Sequence, residues 1–315
     1  MNTLVWRLHR GQAYVAGAAL VVLAAVLLIT GIAMSRAYHD FAVGCAAAHD
    51  CGDPSQVLGR DGLITNWLLA TMAIPLLFGL FWGAPLLATE FENGTHGLAW
   101  TQGVTRGRWL GRTVAWALLA AAVWGGALAV LVSWWRGPAN ALAFPGVRFD
   151  PGIFDLQGIV PVAYSVFAVA VGIAAGAAFR RVLPAMAATF AVFTGLRFLI
   201  AEYARPHYLT PASMLIPFGP DNGPSGSWVL PSVVTGPGGQ RYGSFSFQDV
   251  PAACRSQWPT PSYPSCMTAH GFHDLITYQP AGRFWAFQGI EAGLFLVLAA
   301  VLIAVTFRLV LARDA

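Results

Sequence analysis

Six apolar runs punctuate the chain, each long enough to cross a bilayer as a helix, which takes roughly 17–25 residues. They are Ala13–Met34, Asn66–Ala88, Thr113–Trp135, Ile159–Phe179, Leu183–Ala201 and Trp285–Phe307. The first carries no charge and the second is interrupted by Pro75 and Pro85. The first run is too long for a signal-peptide core and lacks a clear small-residue cleavage site, so it reads as a retained anchor. The pattern predicts an all-α polytopic membrane protein with six transmembrane helices. Residues 1–201 would hold an N-terminal interfacial helix, helices one to five and an inner loop at 89–112. Residues 202–284 would form one long outer segment, and 285–315 the sixth helix and an inner tail.

The segment 202–284 is Pro/Gly-rich, with twelve of the twenty prolines. Pro fixes φ and Gly permits turns, so long regular elements are not expected there. Trp228–Val234 suggests a short strand, held to an edge by Pro231. Gly236-Pro237-Gly238-Gly239 reads as the turn after it. The composition suits either a small stapled cap or an irregular loop.

Composition supports the membrane reading. Hydrophobic residues are 57% of the 315 and charged residues only 10%, where a soluble domain carries about 25% charged. The 18 basic residues are all Arg, with no Lys. A P-loop needs its Lys to reach the β and γ phosphates, so the chain holds no such ATP site. Lys Schiff-base chemistry is excluded as well, and nothing suggests nucleic-acid binding.

Arg placement orients the helices, because positive loops stay inside. With the N-terminus inside, the inner pieces are 1–12, 89–112, 180–182 and 308–315. They hold nine Arg against three acids, while the much longer outer pieces hold eight Arg against ten acids. Both termini are therefore expected to be cytoplasmic. Cys45, Cys51, Cys254 and Cys266 all fall in outer pieces, where disulfides persist. Four cysteines allow three pairings; the local pairs Cys45–Cys51 and Cys254–Cys266 close the shortest loops.

Other candidate features are fewer. Arg197 and Glu291 lie within helices five and six, where charges are costly and usually face protein or water. An ion pair between them would lower the cost of both, with Glu202 as a rival partner for Arg197. Gly172-x-x-x-Gly176 and Gly289-x-x-x-Gly293 suit close helix packing in lipid. His270-x-x-His273 beside Cys266 is too loose for a zinc site and has no matching second cluster, so no metal is expected. No catalytic constellation such as H-E-x-x-H or G-x-S-x-G is present.

The most informative stretch is Thr89-Glu90-Phe91-Glu92-Asn93-Gly94-Thr95-His96-Gly97-Leu98-Ala99-Trp100-Thr101-Gln102-Gly103-Val104-Thr105-Arg106. Gly94 would end helix two, Thr95 would cap a short helix over His96–Gln102, Gly103 would end it, and Thr105 would cap helix three. This loop resembles the one between helices two and three of ABC-2-type transporter permeases: acidic residue, Gly-Thr, short helix, small-residue turn, Arg. Gly103 stands where many relatives have Pro. The closer resemblance is to the actinobacterial group, through Glu90-Phe91-Glu92-x-Gly94-Thr95-His96 and Trp100-Thr101-Gln102, and again through Arg205-Pro206-His207 and Tyr278-Gln279-Pro280.

The resemblance implies a transport subunit that is not itself an enzyme. ATP and Mg²⁺ would be bound by a separate ATP-binding subunit, leaving this chain without a cofactor. The short helix would dock on that partner, with Glu90, Glu92, Gly94, Thr95, His96, Leu98, Trp100, Gln102 and Arg106 as the coupling residues. A second permease subunit, the same or different, would complete the pore. Leu4–Arg10 resembles the family's amphipathic helix on the inner lipid surface. Aromatic and aliphatic helix walls suggest an amphipathic cargo such as a small molecule, lipid or peptide. The rival readings are a secondary transporter or channel, for which Pro75 and Pro161 are the support, and a membrane-embedded enzyme.

Overall fold

The computed structural model describes residues 2–48, 71–94, 105–137, 148–149, 151–219 and 223–313. They divide into two compact units. A helical unit takes 1–142, 151–200 and 288–315, and a second unit takes 143–150 and 201–287.

Among the described residues, six helices are long and apolar enough to cross a membrane. Helix α1 runs Asn2–Ala48, and no Pro interrupts it. Ala, Leu and Arg are strong helix formers, and they carry it past both ends of the apolar run. Leu4–Arg10, expected as an interfacial helix, form the first turns of α1, continuous with the rest of it. Helix α2 is Ile74–Glu92, with one π-helical stretch at Gly79–Gly83. Helix α3, Arg106–Trp135, starts earlier than its apolar run; Thr105 sits at its N-cap in extended backbone, without a side-chain capping bond. Helices α4 (Val160–Phe179), α5 (Val182–Leu199) and α6 (Phe284–Arg313) complete the set.

Helix α4 is the hub. It packs on α2, α3 and α5, and 72% of its most apolar window is buried. Its contact with α2 is backbone on backbone. A Cβ on Gly172 would fall 2.5 Å from the Gly79 carbonyl oxygen and the Ala84 nitrogen, and one on Gly176 would fall 2.7 Å from the Ala84 oxygen. Lipid tails are as apolar as Leu, so association depends on such close van der Waals packing. On α6, a Cβ on Gly289 or Gly293 would meet nothing within 4 Å among the described residues. Close helix packing, expected of both Gly pairs, is seen among the described residues for the pair on α4. Outward faces are apolar, as with Ile29, Val123, Phe190 and Val297, which is what lipid contact requires.

At its start α4 is held by a side chain from α6. The buried Gln288 accepts from the Ile159 and Val160 N–H groups at 3.0 Å each, and its amide donates to the Phe154 carbonyl at 2.9 Å. The first N–H groups of a helix have no partner within it, so Gln288 supplies the acceptor that lipid cannot.

The second unit contains a five-stranded sheet. Strands β1 (Ala212–Pro217), β2 (Trp228–Val229), β3 (Val233–Thr235), β4 (Arg241–Tyr242) and β5 (His273–Gln279) run in the order β1-β5-β3-β4, with β2 also on β5. The expected strand at Trp228–Val234 is thus split at Leu230-Pro231-Ser232. All the pairings are antiparallel; Ile216 faces Asp274 and Val233 faces Leu275. Gly236–Gly239 turns β3 into β4, with the Gly236 N–H donating to the Gln240 carbonyl at 2.9 Å.

Two short helices, Ala252–Arg255 and Tyr263–Ala269, lie between β4 and β5 and are joined by the Cys254–Cys266 disulfide. Cys254 is buried in a small core with Val250, Tyr263, Met267 and Phe272. Cys45 lies on α1 and is not free; its expected partner Cys51 lies outside the described residues.

Closing a loop with a sequence separation of 12 should contribute about 2–3 kcal/mol to this small core. Replacing Cys254 and Cys266 with Ala is therefore expected to speed proteolysis between β4 and β5 without releasing the membrane helices. Unchanged cleavage rates would show that the core stands without the bridge.

Candidate functional site

One end of the helical unit is tied together by side chains from α2 and by the residues joining α4 to α5. Helix α2 closes with Asn93, whose N–H donates to the Thr89 carbonyl at 3.0 Å. Gly94 follows at φ +70, with open space where a Cβ would sit. Its constraint is the left-handed backbone, which β-branched residues resist. One carboxylate oxygen of Glu92 accepts from the Val182 N–H at 3.1 Å. Val182 opens α5, behind Arg181 in extended backbone and without a side-chain cap from α5 itself. Glu92 therefore provides both an acceptor and a negative charge where the helix dipole is positive. Arg180 ends α4 at φ 54, with its N–H on the Gly176 carbonyl at 3.0 Å. Its guanidinium lies 4.9 Å from the Phe91 ring centroid.

Of the expected coupling residues, the structure places Glu90, Glu92 and Gly94 on or just after the last turn of α2, and Arg106 at the first position of α3. Glu92 is engaged within the chain through Val182. Thr95, His96, Leu98, Trp100 and Gln102 lie outside the described residues.

A second polar constellation sits among the membrane helices. Arg197 of α5 donates to one oxygen of Asp155 from Nη2 at 2.7 Å and from Nε at 3.2 Å, and from Nη1 to the Met72 carbonyl at 3.1 Å. The Tyr164 hydroxyl lies 3.2 Å from the other Asp155 oxygen and also bonds Glu291 of α6. The Arg197 guanidinium lies 5.1 Å from the Tyr164 ring centroid. Asp155, Tyr164 and Glu291 are buried. A phenol has one proton, so two carboxyl groups share a single Tyr donor here.

The expected Arg197–Glu291 pair is corrected by this geometry. The acid that Arg197 bonds is Asp155, and Glu291 bonds the Tyr164 hydroxyl that also approaches Asp155. Asp155 escaped the sequence reading because it lies just before the fourth apolar run, in a stretch taken as outer loop. Tyr164 and Gln288 looked like ordinary members of apolar helices. The available signal was an acid, a phenol and an amide at the matching depth of neighbouring spans, which is visible once Arg197 is required to find a partner.

The Cys254, Cys266 and His270 side chains also converge, with candidate ligand atoms within 4.8 Å of one another. Both sulfurs are spent in the disulfide, so neither offers the thiolate that a metal would need.

Residues 17–205 match the family model described as ABC-2 membrane transporter related, which covers more than half of the chain. The chain belongs to this family. It is an ABC-2-type permease and a multi-pass membrane protein. No curated protein and no solved structure matches it. The match spans α2 to α5 and most of α1, so both the tied end at Glu92 and the Arg197–Asp155 pair lie inside the permease's family-defining region.

Proposed function

We propose that this permease is the membrane-spanning half of an ATP-driven exporter in the cell membrane. A separate subunit binds and hydrolyses ATP with Mg²⁺, a second permease subunit completes the path, and both termini face the cytoplasm. The family match over residues 17–205 carries this reading. The absence of Lys from the chain agrees with it, since the ATP site must then come from elsewhere.

Energy from the ATPase must enter through contact. The segment 95–104 between α2 and α3 is the proposed contact, with Thr95, His96, Leu98, Trp100 and Gln102 facing the partner. Gly94 sets its direction of departure, and Glu92 fixes the end of α2 to the start of α5. A push on the segment would then reach α4 and α5 as well as the two helices it joins. The cargo is proposed to be amphipathic, in keeping with apolar helix walls that carry few charges.

Gly94→Val is expected to insert normally, because no membrane-facing residue changes, yet to lose most substrate-stimulated ATP hydrolysis in liposomes. Glu92→Arg should act likewise, placing a cation at the positive end of α5. Co-purification with the ATPase and its stimulated activity are the measurements. Wild-type behaviour from both variants would leave the loop as an ordinary connection and remove the coupling assignment.

A further inference from the structure

The second unit holds an open cavity of about 480 Å³ whose walls are largely aromatic. Among the described residues, Phe218, Phe245, Phe247, Trp258 and Tyr263 line it, together with one acid, Asp274. The rings are arranged in mutual contact: Phe218 lies 5.7 Å from Phe245 and 5.8 Å from Tyr263, and Tyr263 lies 5.0 Å from Trp258, centroid to centroid. Phe247 and Trp258 remain 54% and 59% exposed. Such large aromatic faces are usually covered in a small domain unless they bind something.

Asp274 sits on β5, paired across the sheet with Ile216 and Val234. One of its oxygens accepts from the Gly219 N–H at 3.1 Å. Among the described residues it forms no ion pair, and no Arg lines the cavity. Burial pushes the Asp274 carboxyl above the ordinary carboxylate range, against the opposing pulls of the Gly219 N–H and His273. Among the described lining residues the hydroxyls are those of Tyr263 and Ser246, and the latter is already committed to Asp249 at 2.8 Å.

We propose that this cavity binds an organic ammonium ion with an apolar body, its charge set against Asp274 and the ring faces. Aromatic faces attract cations through their quadrupole, and quaternary and alkylated ammonium groups are the usual beneficiaries. A metal ion fits poorly, because Ca²⁺ and Mg²⁺ need several oxygen ligands and one carboxylate supplies too few. A neutral ligand would shield Asp274 from water and push its carboxyl further toward the protonated form, whereas a cation compensates the carboxylate directly. The volume falls in the range of drug-sized sites, roughly 300–1,000 Å³.

The test uses the full chain in lipid nanodiscs without any ATPase, so its outcome is independent of the transport reading. Phenethyltrimethylammonium is titrated against its neutral carbon isostere, 3,3-dimethylbutylbenzene, by saturation-transfer NMR. Saturable binding of the cation and a weaker response from the isostere are expected. Asp274→Asn keeps the shape and the Gly219 bond, and should weaken cation binding about tenfold; Phe247→Ala, at an exposed position, should weaken it about threefold. Intact Cys254–Cys266 cross-linked peptide in each variant reports that the unit has folded. Equal binding of cation and isostere, an unchanged affinity in Asp274→Asn, or no saturable binding to the wild type would each overturn the proposal.

Discussion

Gly172→Leu is expected to prevent recovery of folded protein, and Gly172→Ala to cost about 1–3 kcal/mol, the range for overpacking a filled interior. The added Cβ would lie 2.5 Å from the Ala84 nitrogen and the Gly79 oxygen, and 2.7 Å from the Gly83 carbonyl carbon. All three are backbone atoms, so no rotamer change relieves the clash. Helices α2 and α4 would have to separate, which also loosens the packing of Leu86 and Leu87 against Val169 and Ile173. A leucine adds three further carbons to the same point. Native stability is typically only about 5–15 kcal/mol, so the larger residue should exceed what the fold can absorb. Gly289→Ala and Gly293→Ala provide the contrast, because no described residue lies within 4 Å of either added carbon. Thermal midpoints of the purified variants in detergent decide the matter. A wild-type midpoint for Gly172→Ala would mean that α2 and α4 are not in backbone contact.

Arg197→Ala is the second large effect, expected at about 3–5 kcal/mol, the usual consequence of removing one partner from a buried pair. The Asp155 side chain is only 2% exposed, and Arg197 is 15% exposed. Without the guanidinium the carboxylate loses the cation opposite it, and the Met72 carbonyl loses its donor. Asp155→Asn combined with Arg197→Gln should be less destabilising than the two single changes added together, since neither charge is then left behind. Residues in direct contact typically couple by about 0.5–3 kcal/mol. Denaturation midpoints of the four proteins in the cycle give the coupling directly. Strict additivity would show that the pair contributes nothing as a pair.

The membrane helices were legible because the bilayer leaves few choices. A backbone crossing hydrocarbon must satisfy its own hydrogen bonds, so a long apolar run has to be helical. Helix ends were less legible: α1 and α3 continue into polar sequence, where nothing in composition marks a stop. Of the family-like loop at Thr89–Arg106, the described residues show Gly94 ending α2 with left-handed backbone, and 95–104 lie outside them. Of the sheet, a strand region at Trp228–Val234 and the turn at Gly236–Gly239 were legible, and the pairing was not. Strands β1 and β5 pair across a separation of some sixty residues, from Ala212 with Tyr278 to Pro217 with His273. Strand preference is largely a property of such cross-strand neighbours, which a Pro- and Gly-rich segment gives no local reason to expect.

By itself the sequence determined that this chain crosses a membrane six times and belongs with transport subunits lacking their own P-loop. Those conclusions rest on apolar length, Arg placement, one loop motif and the absence of Lys, all of which are properties read along the chain. Tertiary structure alone decided which acid meets Arg197 and which Gly-x-x-x-Gly pair packs. It also decided that Gln288 caps α4 and that five aromatic residues line one cavity together with Asp274. Each of these is a choice among chemically equivalent candidates. Glu291, Glu202 and Asp155 are all carboxylates, and the two Gly pairs have identical spacing. What separates them is which helix face or strand edge meets which neighbour, and that is fixed by packing across the whole fold rather than by any local pattern.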